Sequence, residues 1–243
     1  MPLTALVITK NESAHIEACL RSVDWADERL VIDSGSTDDT AAIAARCGAT
    51  VLTRAWDGYS NQKNFGTSRA KYDWILSIDA DERVSPGLAA ELLSAMASPG
   101  DRAGFRIPRV TFYLGRWIRC TDWYPDLQLR LYDRRRARWN DKLVHESVTA
   151  DGPVGELRGD LEHFAYRDIS HHLDTINKYT TLAADEMRAR GRTTGFAELL
   201  LHPPAAFLRN YILKRGVTAG TTGLVVSILN SYHVFLKYAK LWA

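Results

Sequence analysis

The 243-residue chain predicts an α/β fold: a mostly parallel sheet with helices on both faces, followed by a C-terminal helical extension. Three observations predict it. Short apolar runs alternate with helix-patterned segments over the first hundred residues, and strands too apolar to face water belong inside a covered parallel sheet. After about Gly104 the pattern becomes extended and alternating. From about Ser170 it is helical to the end.

"TALVITK" (Thr4 to Lys10) reads as the first strand, and Asn11 is placed to cap the next helix. That helix carries Ile16, Cys19, Leu20 and Val23 at i, i+3, i+4 and i+7. "RLVID" (Arg29 to Asp33) is the second strand, and "SGSTDDT" is a turn and helix start, with Gly48 suited to that helix's C-terminal cap. "ATVLTR" is the third strand. "SNQKNFGTSRAK" is helical in pattern despite Gly66, and "DWILSID" is the fourth strand. Ser85 and Pro86 suit the N-cap and first position of a helix with Leu88, Leu92, Leu93 and Met96 on one face. "FRIPRVTFYLG" and "LQLRLYD" are later strands. The boundaries read from this pattern are a sheet domain over 1–168 and a helical extension over 169–243.

Composition excludes several classes. Lys and Arg number 31 against 29 Asp and Glu, a net charge of +2, so bulk charge points to no nucleic acid. Cys19, Cys47 and Cys120 form no CxxC pair and an odd count, which suits a reducing, cytosolic setting without disulfide or zinc frameworks. The start "MPLTALVITKNE" lacks a basic leader and reads as a strand instead of a signal peptide.

In covered parallel sheets, ligands bind at the carboxyl ends of strands. Lys10-Asn11-Glu12, Asp33-Ser34-Gly35-Ser36 and Asp79-Ala80-Asp81 all lie at such ends. Two carboxylates one residue apart repel each other and call for a cation. Their oxygens suit Mg²⁺ or Mn²⁺, which keep water and phosphate oxygens as further ligands. If the strand continues that far, alternation puts Asp79 and Asp81 on the same side. Asp33 suits a hydrogen bond to a ribose or base, or the capping of its own turn. No GxGxxG or GxxxxGK[ST] is present. In "WYPDLQLRLYDRR", Leu127, Leu129 and Leu131 share one face, and Asp126, Gln128 and Arg130 the other, with Trp117, Trp123 and Trp139 nearby as sugar-stacking candidates. His145 is a candidate metal ligand and His163 its competitor. His171 and His172 point about 100° apart on a helix and make a poor pair.

"LVITKNE", "VIDSGSTDDT", "WDGYSNQKN", "WILSIDADERVS", "WYPDLQLRL" and "VHE", in this order, resemble glycosyltransferase family 2, the inverting GT-A enzymes. Within it they are closest to the β-1,4-glucosyltransferases of the lipopolysaccharide inner core. The resemblance covers most of the chain. It implies a GT-A sheet, a nucleoside-diphosphate-sugar donor (a UDP-sugar first), a divalent metal and single displacement onto a glycolipid acceptor. It assigns Asp79 to ribose and metal, Ala80 to the same donor-binding element, and Asp81 to the metal. Thr9, Asn11, Glu12 and Asp33 line the nucleoside pocket. Asp57, Gln62 and Lys63 meet base and phosphates, and His145 completes the metal site. Asp126 is the base, although Pro125-Asp126 replaces the usual Glu-Asp, and Arg130 or Lys63 stabilises the departing diphosphate. The rival readings are transfer to a polyprenyl phosphate, a phosphatase with an Asp-x-Asp pair, and a non-catalytic nucleotide-binding protein.

Between Arg215 and Lys237 lie about 21 residues without charge, near the length that spans a bilayer. Asn230, His233 and three glycines make this stretch polar for a span, and its flanks are basic and aromatic. It reads as helices lying on anionic lipid at the cytoplasmic face of the inner membrane. A cap packed on the domain, or on a second copy of the chain, is the alternative.

Overall fold

The computed structural model describes residues 1–140 and 146–243. The elements run β1 (Leu3–Thr9), α1 (Ile16–Arg21), β2 (Glu28–Asp33), α2 (Thr40–Arg46), β3 (Thr50–Thr53), α3 (Tyr59–Arg69), β4 (Trp74–Asp79), β5 (Glu82–Val84) and α4 (Pro86–Ala97). They continue with β6 (Gly104–Tyr113), β7 (Arg116–Ile118), β8 (Asp126–Asp133), β9 (Ala137–Trp139), β10 (Val148–Ala150), β11 (Val154–Glu156) and β12 (Leu161–His163). The helices α5 (Ile169–Ala189), α6 (Phe196–Leu208) and α7 (Gly220–Trp242) complete the chain. The chain divides into two compact units, one of Met1–Arg109 and Asp126–His163, the other of Val110–Pro125 and Phe164–Ala243.

In the first unit the sheet order is β3-β2-β1-β4-β8-β6-β12-β5. The first four strands are parallel, with Val7 beside both Val31 and Ile78. β8 then runs antiparallel to β4 and to β6, which aligns Arg109 with Asp126. This parallel sheet with antiparallel additions is the GT-A architecture. Both faces are covered. Leu3, Val7, Val31, Leu76 and Ile78 join Ile16, Leu20, Leu88 and Leu92 on one side; Leu6, Ile32 and Ile75 join Tyr132 and Trp139 on the other. Each fully buried side chain of this size contributes roughly 1.5–3 kcal/mol by leaving water.

Local chemistry explains the element ends. Gly48 takes φ 74° just past α2, as a C-terminal cap requires. Ser85 caps α4, its hydroxyl accepting from the Leu88 amide at 3.2 Å, and Pro86 follows at the first helical position. Gly66 lies in α3 for a packing reason: a Cβ there would meet Leu6 Cδ1 at 2.4 Å and Ile32 at 2.9 Å. Two expectations are corrected. Leu93 is 51% exposed, because it falls one position off the buried Leu88, Leu92, Met96 stripe of α4. Asn11 does not cap α1, which begins at Ile16. With φ 56° it instead accepts from the Thr37 amide at 2.8 Å and holds the loop after β2.

In the second unit, Tyr113, Ile118, Ile176, Val226 and Leu229 form the core. A π-helical turn, Arg209–Leu213, ends α6 after Pro203 and Pro204, and a 3₁₀ turn, Gly216–Ala219, leads into α7. Buried Asn210 ties this bend down by donating to Asp122 Oδ2 at 3.0 Å and accepting from Asn230 at 3.0 Å. Among the described residues no single helix is long and apolar enough to cross a membrane. The pair Phe196–Leu213 and Gly216–Trp242, bent by 68°, passes that test together.

Candidate active site

β4 stops at Asp79, so the strand does not continue as far as Asp81 and alternation cannot put both carboxylates on one side. Ala80 turns into the core, and the chain restarts as β5 at Glu82. The turn splits the two carboxylates. Asp79 pairs with Arg130 Nη2 at 2.8 Å and with Lys63 Nζ at 3.1 Å. Asp81 pairs with His163 Nε2 at 3.3 Å.

Around Asp79 the sheet assembles a buried ionic cluster. Lys63 comes from α3, Arg130 from β8, Arg109 from β6 and Glu82 from β5. Glu82 accepts from Arg130 at 2.8 Å, from Arg109 at 3.1 Å and from the Asp79 amide at 2.9 Å. Lys63 lies 4.3 Å from the centre of the Trp139 ring and 3.7 Å from Glu146. Burial works against ionisation of Asp79, but Arg130 and Lys63 outweigh it and hold its carboxyl far below the usual range. Burial likewise opposes the charge on Arg130, and Asp79 and Glu82 override it. For Asp81, burial is outweighed by the hydrogen bond and charge of His163, and its pKa is lowered.

These groups fit a divalent cation on three grounds. Asp79, Asp81, Glu82, Asp126 and Glu146 outnumber the three fixed cations Lys63, Arg109 and Arg130 in this cluster. Asp79 Oδ1 is buried without a hydrogen bond, its approach to Lys63 being poorly aligned. Asp81 and His163 bring an oxygen and a nitrogen ligand atom within 3.3 Å of each other. No group of three His, Cys, Asp or Glu side chains suited to a metal occurs among the described residues, and His145 lies outside them.

The other expected residues fall into two groups. Asp126 is partly exposed. Its Oδ2 accepts from Arg109 Nη2 at 2.6 Å and Nε at 2.9 Å, and its Oδ1 from Gln128 at 2.6 Å. Asp57 is also open, paired with Arg54 at 2.5 Å. Thr9, Asp33, Gln62 and Lys63 are instead buried. Asp33 turns into its own loop, accepting from the Gly35 and Ser36 amides, the capping alternative left open by the sequence. Gln62 donates to Ser34 Oγ, Arg54 O and Ala55 O, bracing the loop before α3. The Glu12 amide donates to Thr40 at 2.8 Å. Thr9 Oγ1 and Gln62 Oε1 are buried without hydrogen bonds, as are Nε and Nη1 of Arg130.

The tryptophans are not open platforms. Trp139 is buried beneath Lys63, Trp117 packs on Phe112 and Phe164, and Trp123 stacks on Tyr166. Sequence reading missed Glu82 and Arg109. The only sequence signal was the acidic residue directly after Asp79-Ala80-Asp81; nothing local marks Arg109, which strand pairing brings to Asp126.

Comparison with known proteins adds the following. The model of the family described as glycosyl transferase family 2 matches residues 4–150. The lipopolysaccharide core biosynthesis glycosyltransferase LpsC of Rhizobium meliloti is 31% identical, the match covering 100% of this chain and 92% of LpsC. An uncharacterized glycosyltransferase of Rickettsia prowazekii is 31% identical over 98% of this chain and 86% of its own. Glucosyl-3-phosphoglycerate synthase from Mycobacterium tuberculosis, solved with Mn²⁺, UDP and glucosyl-3-phosphoglycerate, is 24% identical over 47% of this chain and 44% of its own. Its TM-score is 0.39.

Proposed function

The chain belongs to glycosyltransferase family 2 and is a glycosyltransferase, and we propose that it is a metal-dependent, inverting hexosyltransferase acting from a UDP-sugar onto a glycolipid of the lipopolysaccharide core. The observation that carries this reading is the excess of carboxylates over fixed cations at the carboxyl end of β4, beside the Asp81–His163 pair. The name of the relative LpsC supports the acceptor class.

Asp81 and His163, with phosphate and water oxygens as further ligands, would hold Mg²⁺ or Mn²⁺, which when bound supplies positive charge against a diphosphate. Arg130 offers its two unpartnered donors to phosphate oxygen, where charge develops as the sugar departs. Lys63 keeps Asp79 ionised and in place. Asp126 takes the proton of the acceptor hydroxyl. Arg109 and Gln128 leave it a lone pair on Oδ1, since a carboxylate offers about four acceptor sites. One base and no second carboxylate acting as nucleophile means a single displacement, which inverts the anomeric centre. Thr9, Asp33 and Gln62 shape the nucleoside end through the loops they hold, and Asn11, Glu12 and Asp57 line it.

The glycolipid would be met at the membrane surface. From Leu199 to Ala243 the chain has five basic residues and no Asp or Glu. Ile212, Leu213 and Val217 are exposed beside exposed Lys214 and Arg215. This composition suits anionic lipid at the cytoplasmic face.

The test is calorimetry of UDP with and without Mn²⁺, joined to transfer onto lipopolysaccharide truncated in its inner core. Asp81→Ala should abolish the Mn²⁺-dependent part of UDP binding. Asp126→Asn should keep UDP binding and lose transfer by about 10²–10⁴-fold. Metal-independent UDP binding in the wild type would refute the metal, and transfer to a polyprenyl phosphate alone would refute the acceptor.

A further inference from the structure

Glu82 takes no direct part in the transfer step above, yet it is fully buried at the start of β5. A buried carboxylate is costly unless paired and hydrogen-bonded. Here its two oxygens are divided between two tasks. Oε2 accepts from the backbone amide of Asp79 at 2.9 Å. Oε1 accepts from Arg130 at 2.8 Å and from Arg109 at 3.1 Å. Arg130 holds Asp79, and the remaining edge of Arg109 holds Asp126 through Nε and Nη2. A chain of ion pairs therefore runs Asp79, Arg130, Glu82, Arg109, Asp126, with one carboxylate oxygen at its centre.

We propose that Glu82 is a positioning residue for the base, setting Asp126 through Arg109 while Arg130 anchors the donor side. The inference rests on the reading of Asp126 as base. Without the charge of Glu82, two guanidinium groups that share its oxygen would repel each other. Arg130 is only 4% exposed and cannot leave, whereas Arg109 is 23% exposed and has solvent to move into. The displacement falls on Arg109 and carries Asp126 with it, so the cost appears in turnover more than in nucleotide affinity.

The experiment uses the full chain with Mn²⁺ and the UDP-sugar that the wild type hydrolyses fastest, water replacing the acceptor hydroxyl. Hydrolysis kcat and KM are measured together with UDP affinity by calorimetry. Glu82→Gln should lower kcat about 10- to 100-fold, below the loss expected for the base itself, with the Kd for UDP changed less than about threefold. In the Asp126→Asn background the same substitution should cost less than about twofold, because residues acting as a unit are non-additive. If Glu82→Gln does not fold, Arg109→Lys replaces it in both backgrounds. Lysine keeps the charge but loses the fork that spans Glu82 and Asp126, so the same split is expected.

Unchanged kcat, or an equal loss in both backgrounds, overturns the positioning role. If Asp126→Asn is inactive while Glu82→Gln is wild-type, only this inference falls. If Asp126→Asn turns over normally, the base assignment falls and the role of Glu82 with it.

Discussion

In the first unit, Glu82 and Arg130 are buried as an ion pair, with Asp79 and Arg109 beside them at the edge of solvent. In the second, His172, as buried as Arg130, gives its charge up. The histidine packs against Tyr166 with ring centres 4.1 Å apart, and its Nδ1 meets the Tyr113 hydroxyl at 3.0 Å. Burial lowers its pKa to about 4, and the neighbouring His233 and His171 push the same way. The difference lies in the neighbours. Arginine cannot lose its proton in a protein, so a carboxylate beside it is held ionised. His172 packs among aromatic rings and is flanked by His233 and His171, which do nothing to hold its proton. The charged cluster keeps a field available for binding a diphosphate; the neutral one only packs.

Removing a fixed charge tests this contrast most severely. Arg130→Met should destabilise the chain by about 3–5 kcal/mol, because Asp79 and Glu82 are left buried and under-compensated. Urea unfolding measures the loss, and a cost under about 1 kcal/mol would mean that water reaches the cluster.

Acid should separate the two regions next. The folded pKa of His172, about 4, lies below the unfolded value of about 6.5, so the unfolded chain binds more protons between them. The stability is complete above about pH 6.5 and is lost as pH falls toward 4, by roughly 3 kcal/mol. His172→Phe should remove that part of the acid sensitivity. A histidine C2–H resonance that fails to titrate until near pH 4 would identify the residue. Asp79, with its pKa depressed, contributes fully above the ordinary carboxylate range, and that contribution is lost progressively as pH falls through that range and below it.

Smaller effects sharpen the comparison. Tyr113→Phe removes one neutral hydrogen bond to His172 and should cost about 1 kcal/mol in the same unfolding measurement. Outside both clusters, Leu213→Ser, at a side chain 76% exposed, should change stability by less than about 0.5 kcal/mol. It should nevertheless weaken binding to anionic vesicles in a sedimentation assay. Undiminished binding would remove this bend from the membrane contact.

Much of this was legible in the sequence where the governing interaction is local. The strands β1 to β4, the Ser85-Pro86 start of α4 and the Gly48 cap follow from apolar runs and turn chemistry over a few residues. The placement of Asp33 and Asp79 at strand ends follows from the apolar runs that precede them. Gly66 looked like a weakness in a helix; only packing shows why a Cβ cannot fit against Leu6 and Ile32.

The sequence by itself thus determined the sheet, the helical C-terminus, the family and the residue types at the candidate site. Tertiary structure decided which of those residues meet. Arg109 reaches Asp126 because β6 and β8 run antiparallel with those two residues in register. Glu82 meets both arginines because β4 breaks at Asp79, and His163 reaches Asp81 because β12 pairs with β5. A motif fixes residue types over a short span, but charge pairing depends on distance in space. In a sheet that distance is set by strand register between segments far apart in the chain.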